Sequence, residues 1–245
     1  MPPTLGLHQD ILVAKTYRHF ISAGVVAILF FFALYHLIVS FQGRGELLSW
    51  PFALVCFALA LRESSIESLF QKLGIGWARG GYEIFLTIEY LSMSFIAMAS
   101  GLFLLRIFPH FLFKRFVLGW CIGLGVALVA YALVTDSLTF SGQLWGYLLH
   151  LLVAIGGAVA YILLLASKGN PIARRALGPF VVLLCGAVGD GASILGFVSS
   201  IPRVAPYTST LFVLLLSALL SGIAGSDHGE KTAGLSTAGS EASAS

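Results

Sequence analysis

Residues Ile21 to Phe41 read ISAGVVAILFFFALYHLIVSF, twenty-one residues without a lysine, arginine, aspartate or glutamate. At the 1.5 Å rise per residue of an α-helix, a run of this length crosses the roughly 30 Å hydrocarbon core of a bilayer. A secretory signal peptide has a shorter apolar region of about 7 to 15 residues, and no A-x-A cleavage site directly follows this one. The run is therefore predicted to be a retained transmembrane helix.

The same pattern recurs along the whole chain, in which 58% of the residues are hydrophobic and only 10% are charged. Soluble domains average about 25% charged residues. The apolar runs do not alternate with polar residues as barrel strands do, so helices are favoured. The sequence thus predicts an all-α, polytopic membrane protein with a bundle of seven transmembrane helices. The predicted spans are Ile21 to Phe41, Leu47 to Leu61, Tyr82 to Phe108, Phe116 to Val134, Leu144 to Ser167, Leu177 to Ser199 and Thr208 to Gly225.

The spans divide the chain into a short N-terminal arm (1–20), a membrane domain (21–225) and a C-terminal tail (226–245). The tail is composed mainly of Ser, Ala, Gly, Thr and Glu and contains no aromatic residue. Such a composition buries too little apolar area to offset its chain entropy. The tail is therefore predicted to be disordered.

Lysine and arginine favour the cytoplasmic side of a membrane protein. With the N-terminus outside, eight basic residues fall inside and six outside, although Lys15 and Arg18 precede the first span and would resist export. The sequence predicts an inner-membrane protein with an outer N-terminus and a cytoplasmic C-terminus. The predicted cytoplasmic basic loops contain Arg106, Lys114, Arg115, Lys168, Arg174 and Arg175.

Several functional classes lack their required residues. The net charge of +3 is dispersed and forms no basic stripe for nucleic acid. The last span has no lysine for a retinal Schiff base, and Asp190, which follows a glycine, has no second intramembrane aspartate for a membrane aspartyl protease. No H-E-x-x-H, P-loop or G-x-S-x-G occurs. We therefore expect no catalysis, no cofactor and no metal, and the three cysteines are expected to pack as small apolar side chains.

Four ionisable residues from four predicted helices share one depth, roughly 8 to 10 Å below the outer face at 1.5 Å per residue. These residues, here called the polar belt, are Arg62, Glu89, His150 and Asp190. An ionisable group inside a span costs about 2.5 to 3.5 kcal/mol on insertion scales, so each needs a partner or a wet cavity.

Three interpretations of the polar belt remain open. In the first it is structural, with Arg62 paired to Glu89 and His150 paired to Asp190 or to a backbone carbonyl. In the second it is the floor of an outward-facing pocket for a small molecule. The third is a metal site, which no spacing selects. Elsewhere, Gly119 and Gly123 form a G-x-x-x-G pair that is predicted to pack within the bundle rather than in a dimer.

Short motifs spread over the chain resemble the membrane domain of bacterial seven-transmembrane receptors with diverse intracellular signalling modules (7TMR-DISM). They are Ala33-Leu34-Tyr35-His36 in the first span, the polar turn Gly43-Arg44-Gly45-Glu46, a second span ending at Ala60-Leu61-Arg62, Ile88-Glu89-Tyr90-Leu91 opening the third, and Arg106-Ile107-Phe108-Pro109 closing it. The resemblance implies a receptor that senses a ligand or partner at the outer side and carries its output module in the cytoplasm. Only about 20 residues precede the first predicted span and 20 follow the last. We therefore expect either that the output module belongs to another chain, or that this sequence is a fragment or a stand-alone membrane unit.

These observations favour a membrane sensor that relays an outer-side signal to a separate cytoplasmic signalling protein, with membrane lipid around it and a small-molecule ligand as a further expected partner. A small transporter or channel subunit is the alternative. It would need a continuous polar path across the membrane, and only His36 lies beneath the polar belt. A ligand-free membrane scaffold, with every charge of the belt paired, is the third hypothesis.

Overall fold

The computed structural model describes residues 4–42, 49–66, 81–136, 139, 142–194 and 204–222. Throughout these ranges the regular structure is helical. The helices are α1 (Thr4–Phe41), α2 (Ser49–Ile66), α3 (Gly81–Ile107), α4, α5 (Leu144–Ser167), α6 (Pro171–Ile194) and α7 (Ala205–Gly222). Helix α4 is a continuous run in three parts, namely Phe111–Phe116, the π-helical segment Val117–Leu124 and Gly125–Val134.

Six of the described helices are long and apolar enough to cross a membrane, and they are α1 and α3 to α7. Helix α2 packs between α1 and α3 as a further member of the bundle. It falls outside the six and carries Arg62 and Glu63 near its end. The predicted all-α, polytopic membrane bundle is confirmed. Six of the described helices meet the length and composition of a membrane span, whereas the sequence predicts seven. Helix α2 occupies the place of the predicted second span.

The described helices extend beyond two of the predicted spans. Helix α1 begins at Thr4, so most of the predicted N-terminal arm is helical and continues directly into the first span. The predicted tail, residues 226–245, lies outside the described residues.

Helix α6 begins at Pro171, six residues before the predicted start at Leu177. The Asn170 side-chain carbonyl accepts hydrogen bonds from the backbone N–H groups of Ile172 and Ala173, both at 3.0 Å. Such a cap followed by proline at the first helical position is a strong helix start. Arg174 and Arg175, predicted to lie in a loop, therefore belong to the beginning of α6.

Aromatic side chains connect four helices through the centre of the bundle. The ring centroids of Phe52 and Phe103 lie 5.9 Å apart, those of Phe103 and Phe180 6.5 Å, and those of Phe180 and Phe212 5.5 Å. All four rings are fully buried. Phe52 lies near the start of α2 and Phe103 near the end of α3. This part of the row therefore fills, with apolar side chains, the end of the bundle that is predicted to face the cytoplasm.

The Gly119 and Gly123 pair does not pack within the bundle. Both residues are exposed, no atom lies within 4 Å of a Cβ built on Gly119, and Gly123 meets only the Leu118 carbonyl of its own helix. Helix α4 instead packs through Cys121, whose Sγ lies 3.2 Å from a Cβ built on Gly101 of α3. The predicted intrabundle packing is wrong, because a spacing of small residues does not specify which side of a helix faces its neighbours.

Candidate functional site

A buried ion pair joins α2 to α6. The Arg62 guanidinium donates from Nη2 to Asp190 Oδ2 at 3.1 Å. The two residues are only 5% and 4% exposed, which matters because a charge removed from water is tolerated only when it is paired. This ion pair links two residues that lie 128 positions apart in the sequence.

The end of α2 remains helical inside the bundle although its sequence there is polar. Ser64 Oγ donates to the Ala60 carbonyl at 2.7 Å, and Ser65 Oγ donates to the Leu61 carbonyl at 2.9 Å. Hydroxyl groups that bond back to the preceding turn satisfy themselves locally. The polar turn that presents Arg62 can therefore be buried at low cost.

On the other side of the pair, α7 approaches α6 unusually closely. A Cβ built on Gly186 would lie 3.0 Å from Cβ of Thr208 and would overlap its hydroxyl group. Gly186 lies four residues before Asp190 and therefore on the same face of α6. Thr208 directs its hydroxyl to the Val204 and Ala205 carbonyls of its own helix. Because Gly186 has no side chain, α7 can pack directly beside the ion pair.

A small cavity adjoins Arg62, with walls from α2, α3, α5, α6 and α7. Its volume is about 10 Å³, which is close to the space that one water molecule occupies. Arg62 Nε and Asp190 Oδ1 have no hydrogen-bond partner within the described ranges. Ligand pockets usually measure about 300 to 1,000 Å³, so a ligand could enter this cavity only if the helices moved apart.

His150 lies in a different interface from the ion pair. It is 1% exposed, and neither ring nitrogen has a hydrogen-bond partner among the residues described. Its Nε2 faces α4, 3.4 Å from a Cβ built on Gly125, and its backbone carbonyl accepts a hydrogen bond from Trp120 Nε1 at 3.4 Å. The predicted pairing of His150 with Asp190 or a backbone carbonyl is therefore wrong, because depth along a helix does not fix the direction of a side chain.

Glu89 is half-buried on α3, and its backbone carbonyl accepts a hydrogen bond from Ser92 Oγ at 2.6 Å. The sequence predicts a pair of Glu89 with Arg62, whereas the ion pair that the structure shows for Arg62 runs to Asp190. Within the described ranges, no group of three or more His, Cys, Asp and Glu side chains is arranged to hold a metal ion. The structure thus brings two members of the polar belt into contact and places His150 elsewhere.

A tyrosine contact that was not predicted from the sequence lies near His150. The rings of Tyr90 on α3 and Tyr147 on α5 meet edge to face with centroids 4.8 Å apart. The Tyr147 hydroxyl donates to the Leu128 carbonyl of α4 at 2.8 Å. Buried tyrosines normally find a partner for their hydroxyl group. Tyrosines at similar depth in the third and fifth predicted spans are therefore the sequence signal from which this contact could have been predicted.

Apart from the buried Arg62, the basic and acidic side chains described in α2 to α6 lie in opposite halves of the bundle. Six exposed basic residues lie where α3 and α5 end and α4 and α6 begin, and they are Arg106, Lys114, Arg115, Lys168, Arg174 and Arg175. We call this surface the basic end. The acidic residues described in the same part of the chain all lie in the opposite half, and they are Glu63, Glu83, Glu89, Asp136 and Asp190. Arg106 also lies over the Trp50 ring, 5.9 Å from its centroid.

Comparison with known proteins gives one match. A family model described as 7TM diverse intracellular signalling matches residues 18–222, a range that includes α2 to α7 and most of α1. No curated protein and no solved structure matches the chain. The resemblance recognised from the short motifs is confirmed.

Proposed function

The chain belongs to the 7TM diverse intracellular signalling family, and from this we propose that it is a membrane sensor that relays an outer-side signal to a separate cytoplasmic signalling protein. The chain is a multi-pass membrane protein. In the proposal it resides in a bacterial inner membrane with its N-terminus outside, and it performs no catalysis of its own. The basic end then faces the cytoplasm, as the positive-inside rule requires.

The observation that supports this role is the buried Arg62 and Asp190 ion pair. Replacing a buried ion pair by apolar residues is often neutral or stabilising, so its presence calls for a reason other than stability. A contact that can be made or broken between two packings of the same helices is a suitable element for a switch. We propose that an outer-side stimulus changes the contact between α2 and α6 at this pair.

Helix α6 provides the route from the outer half to the basic end. Asp190 lies near one end of α6, and Arg174 and Arg175 lie in its first turns at the other end. A helix transmits a shift or rotation along its length, and helix shifts of about 1 to 2 Å are typical of switching interfaces. If the contact of Asp190 with Arg62 breaks and α6 moves, these arginines would therefore change position relative to the rest of the basic end.

The alternative function, a small transporter or channel subunit, is less well supported. Transport needs polar groups along a path through the whole membrane. In the described part of the inner half, the row of Phe52, Phe103 and Phe180 occupies the centre of the bundle. The sensor role requires a movement of helices and no such path.

The proposed relay predicts that Asp190→Asn changes the geometry of the basic end. The full chain in lipid nanodiscs would carry spin labels at Lys114→Cys and Arg175→Cys, with the exposed Cys185 replaced by serine. We expect the distance between the labels to shift by about 1 to 2 Å or its distribution to broaden, because α6 is no longer held to α2.

Glu83→Gln is the matched control, because Glu83 is an exposed acidic residue on α3 outside the ion pair. It removes the same charge and should leave the distance unchanged. An Asp190→Asn distribution identical to that of the control, in a protein that is folded, would contradict the relay.

A further inference from the structure

An apolar groove of about 300 Å³ runs between α2 and α3. Its floor is formed by Ala58 and Ala99, and its walls include Leu54, Phe57, Phe95 and Met98. We call it the α2–α3 groove. Its volume is at the lower limit for ligand pockets, about 300 Å³, but it lacks the few polar groups by which such pockets usually orient a ligand.

Two wall side chains of the α2–α3 groove also contact neighbouring helices. Phe57 packs edge to face against Phe30 of α1, with ring centroids 5.6 Å apart at 88°. Met98 lies against α4, where a Cβ built on Gly125 would come within 2.8 Å of its Cγ. These contacts restrict the conformations that the two wall side chains can adopt.

The groove lies deep in the membrane and opens sideways. Phe95 is the middle residue of the span Glu83–Ile107. Leu54, Phe57 and Phe95 are each 43% exposed on the outer surface of the bundle, whereas the two floor alanines are buried. The opening therefore faces the hydrocarbon of the bilayer, and a water-soluble ligand has no direct access to it.

We propose that the α2–α3 groove binds one acyl chain of a membrane phospholipid at a defined site. A fully apolar lining leaves the head group nothing to contact, so the head group stays at the interface and only the chain enters. A helix of a second protein fits less well, because the large Leu, Phe and Met side chains of the walls would keep its backbone away from the two floor alanines, where close helix packing would have to occur.

The bound chain would be connected to the interior through Met98. This side chain lines the groove and also packs against Gly125, beside Nε2 of His150. Gly125 directly follows the π-helical segment of α4, a type of irregularity that is frequent at functional sites. The groove is argued from its own shape and chemistry, so it can be present even if the proposed sensor role is wrong.

The test uses the full chain in nanodiscs that contain increasing mole fractions of a phosphatidylethanolamine with a diazirine in one acyl chain. After illumination, labelled positions are mapped by mass spectrometry. We expect labelling of residues 54–61 and 95–102 to saturate at a low mole fraction. At the lipid-exposed Val126 and Leu133 of α4, labelling should rise in proportion to the photolipid.

Ala58→Phe and Ala99→Phe each fill the floor of the groove and should reduce the saturable labelling by about tenfold, with labelling on α4 unchanged. Ala127→Phe, on the exposed face of α4, is the matched control and should have no effect. Two floor variants keep the test informative if one of them does not fold. Labelling that is proportional everywhere and insensitive to both floor variants would overturn the proposal. So would a Phe95→Cys disulfide between two copies that excludes the photolipid, because the occupant would then be a protein helix.

Discussion

Asp190→Leu is expected to lower the free energy of unfolding by about 3 to 5 kcal/mol, the loss that follows when one partner of a buried ion pair is removed. The substitution leaves the Arg62 guanidinium in the bundle interior with no carboxylate to compensate its charge. Arg62→Met should cost a similar amount for the converse reason. Unfolding of the detergent-solubilised protein, followed by far-ultraviolet circular dichroism, measures both.

The double variant Arg62→Met/Asp190→Leu should recover most of that loss, because it removes both charges together and replaces them with apolar side chains. The double-mutant cycle then yields a large coupling energy, which two independent sites would not show. Glu83→Leu, a loss of one exposed charge, is the control and should stay within about 0.5 kcal/mol of the parent. Additive losses in the double variant would mean that the two side chains do not interact.

A pair that can be replaced at little cost in stability has a different use from holding the bundle together. In the proposed sensor, the ion pair specifies that the polar end of α2 lies against α6, and its two charges make that arrangement sensitive to anything that competes for either of them. The cavity beside Arg62, with room for about one water molecule, gives such a competitor a place to begin to enter. The proposed sensor would respond to a signal through such competition for the ion pair.

Gly186→Leu is expected to force α6 and α7 apart and to destabilise the protein by about 1 to 3 kcal/mol, the usual range for overpacking. The new side chain would collide with Thr208, because the position of its Cβ already overlaps the threonine hydroxyl. Helix propensity works in the opposite direction, since leucine is a better helix former than glycine. A loss of stability would therefore show that the steric contact outweighs the backbone effect.

Gly24→Leu is the matched control, because Gly24 lies within α1, is exposed, and a Cβ built on it would have no atom within 4 Å. It should be neutral or slightly stabilising in the same unfolding experiment. Thr208→Gly should restore part of the stability lost in Gly186→Leu by making room on α7. Equal effects at positions 186 and 24 would contradict the close approach of α6 and α7.

Much of the fold follows from the sequence alone. The predicted span Leu144 to Ser167 has the bounds of α5, because Gly169 and Asn170 interrupt the apolar run directly after it. The predicted start of α6 is too late, since the charges of Arg174 and Arg175 suggest a loop. The cap at Asn170 and the proline after it are the better signal, because they act on the backbone and tolerate charges in the first turns.

The candidate site could be predicted only in part. Counting residues along each helix predicts a similar depth for Arg62 and Asp190, and the structure brings these two side chains into contact. It gives no information on how each helix is rotated or which helices are neighbours. For this reason the predicted partner of His150 is Asp190 or a backbone carbonyl, although its ring faces Gly125 of α4. The prediction that Gly119 and Gly123 pack within the bundle is wrong for the same reason, because both residues face outward on α4.

Reversal of the two charges tests the relay most directly. The measurement is the distance between spin labels at Lys114→Cys and Arg175→Cys in nanodiscs, for Arg62→Asp, for Asp190→Arg and for the two together. We predict that each single reversal changes the distance, because it places two like charges in contact, and that the double reversal restores the parent distribution. A double variant that is folded and as displaced as either single variant would contradict the claim that this ion pair sets the geometry of the basic end.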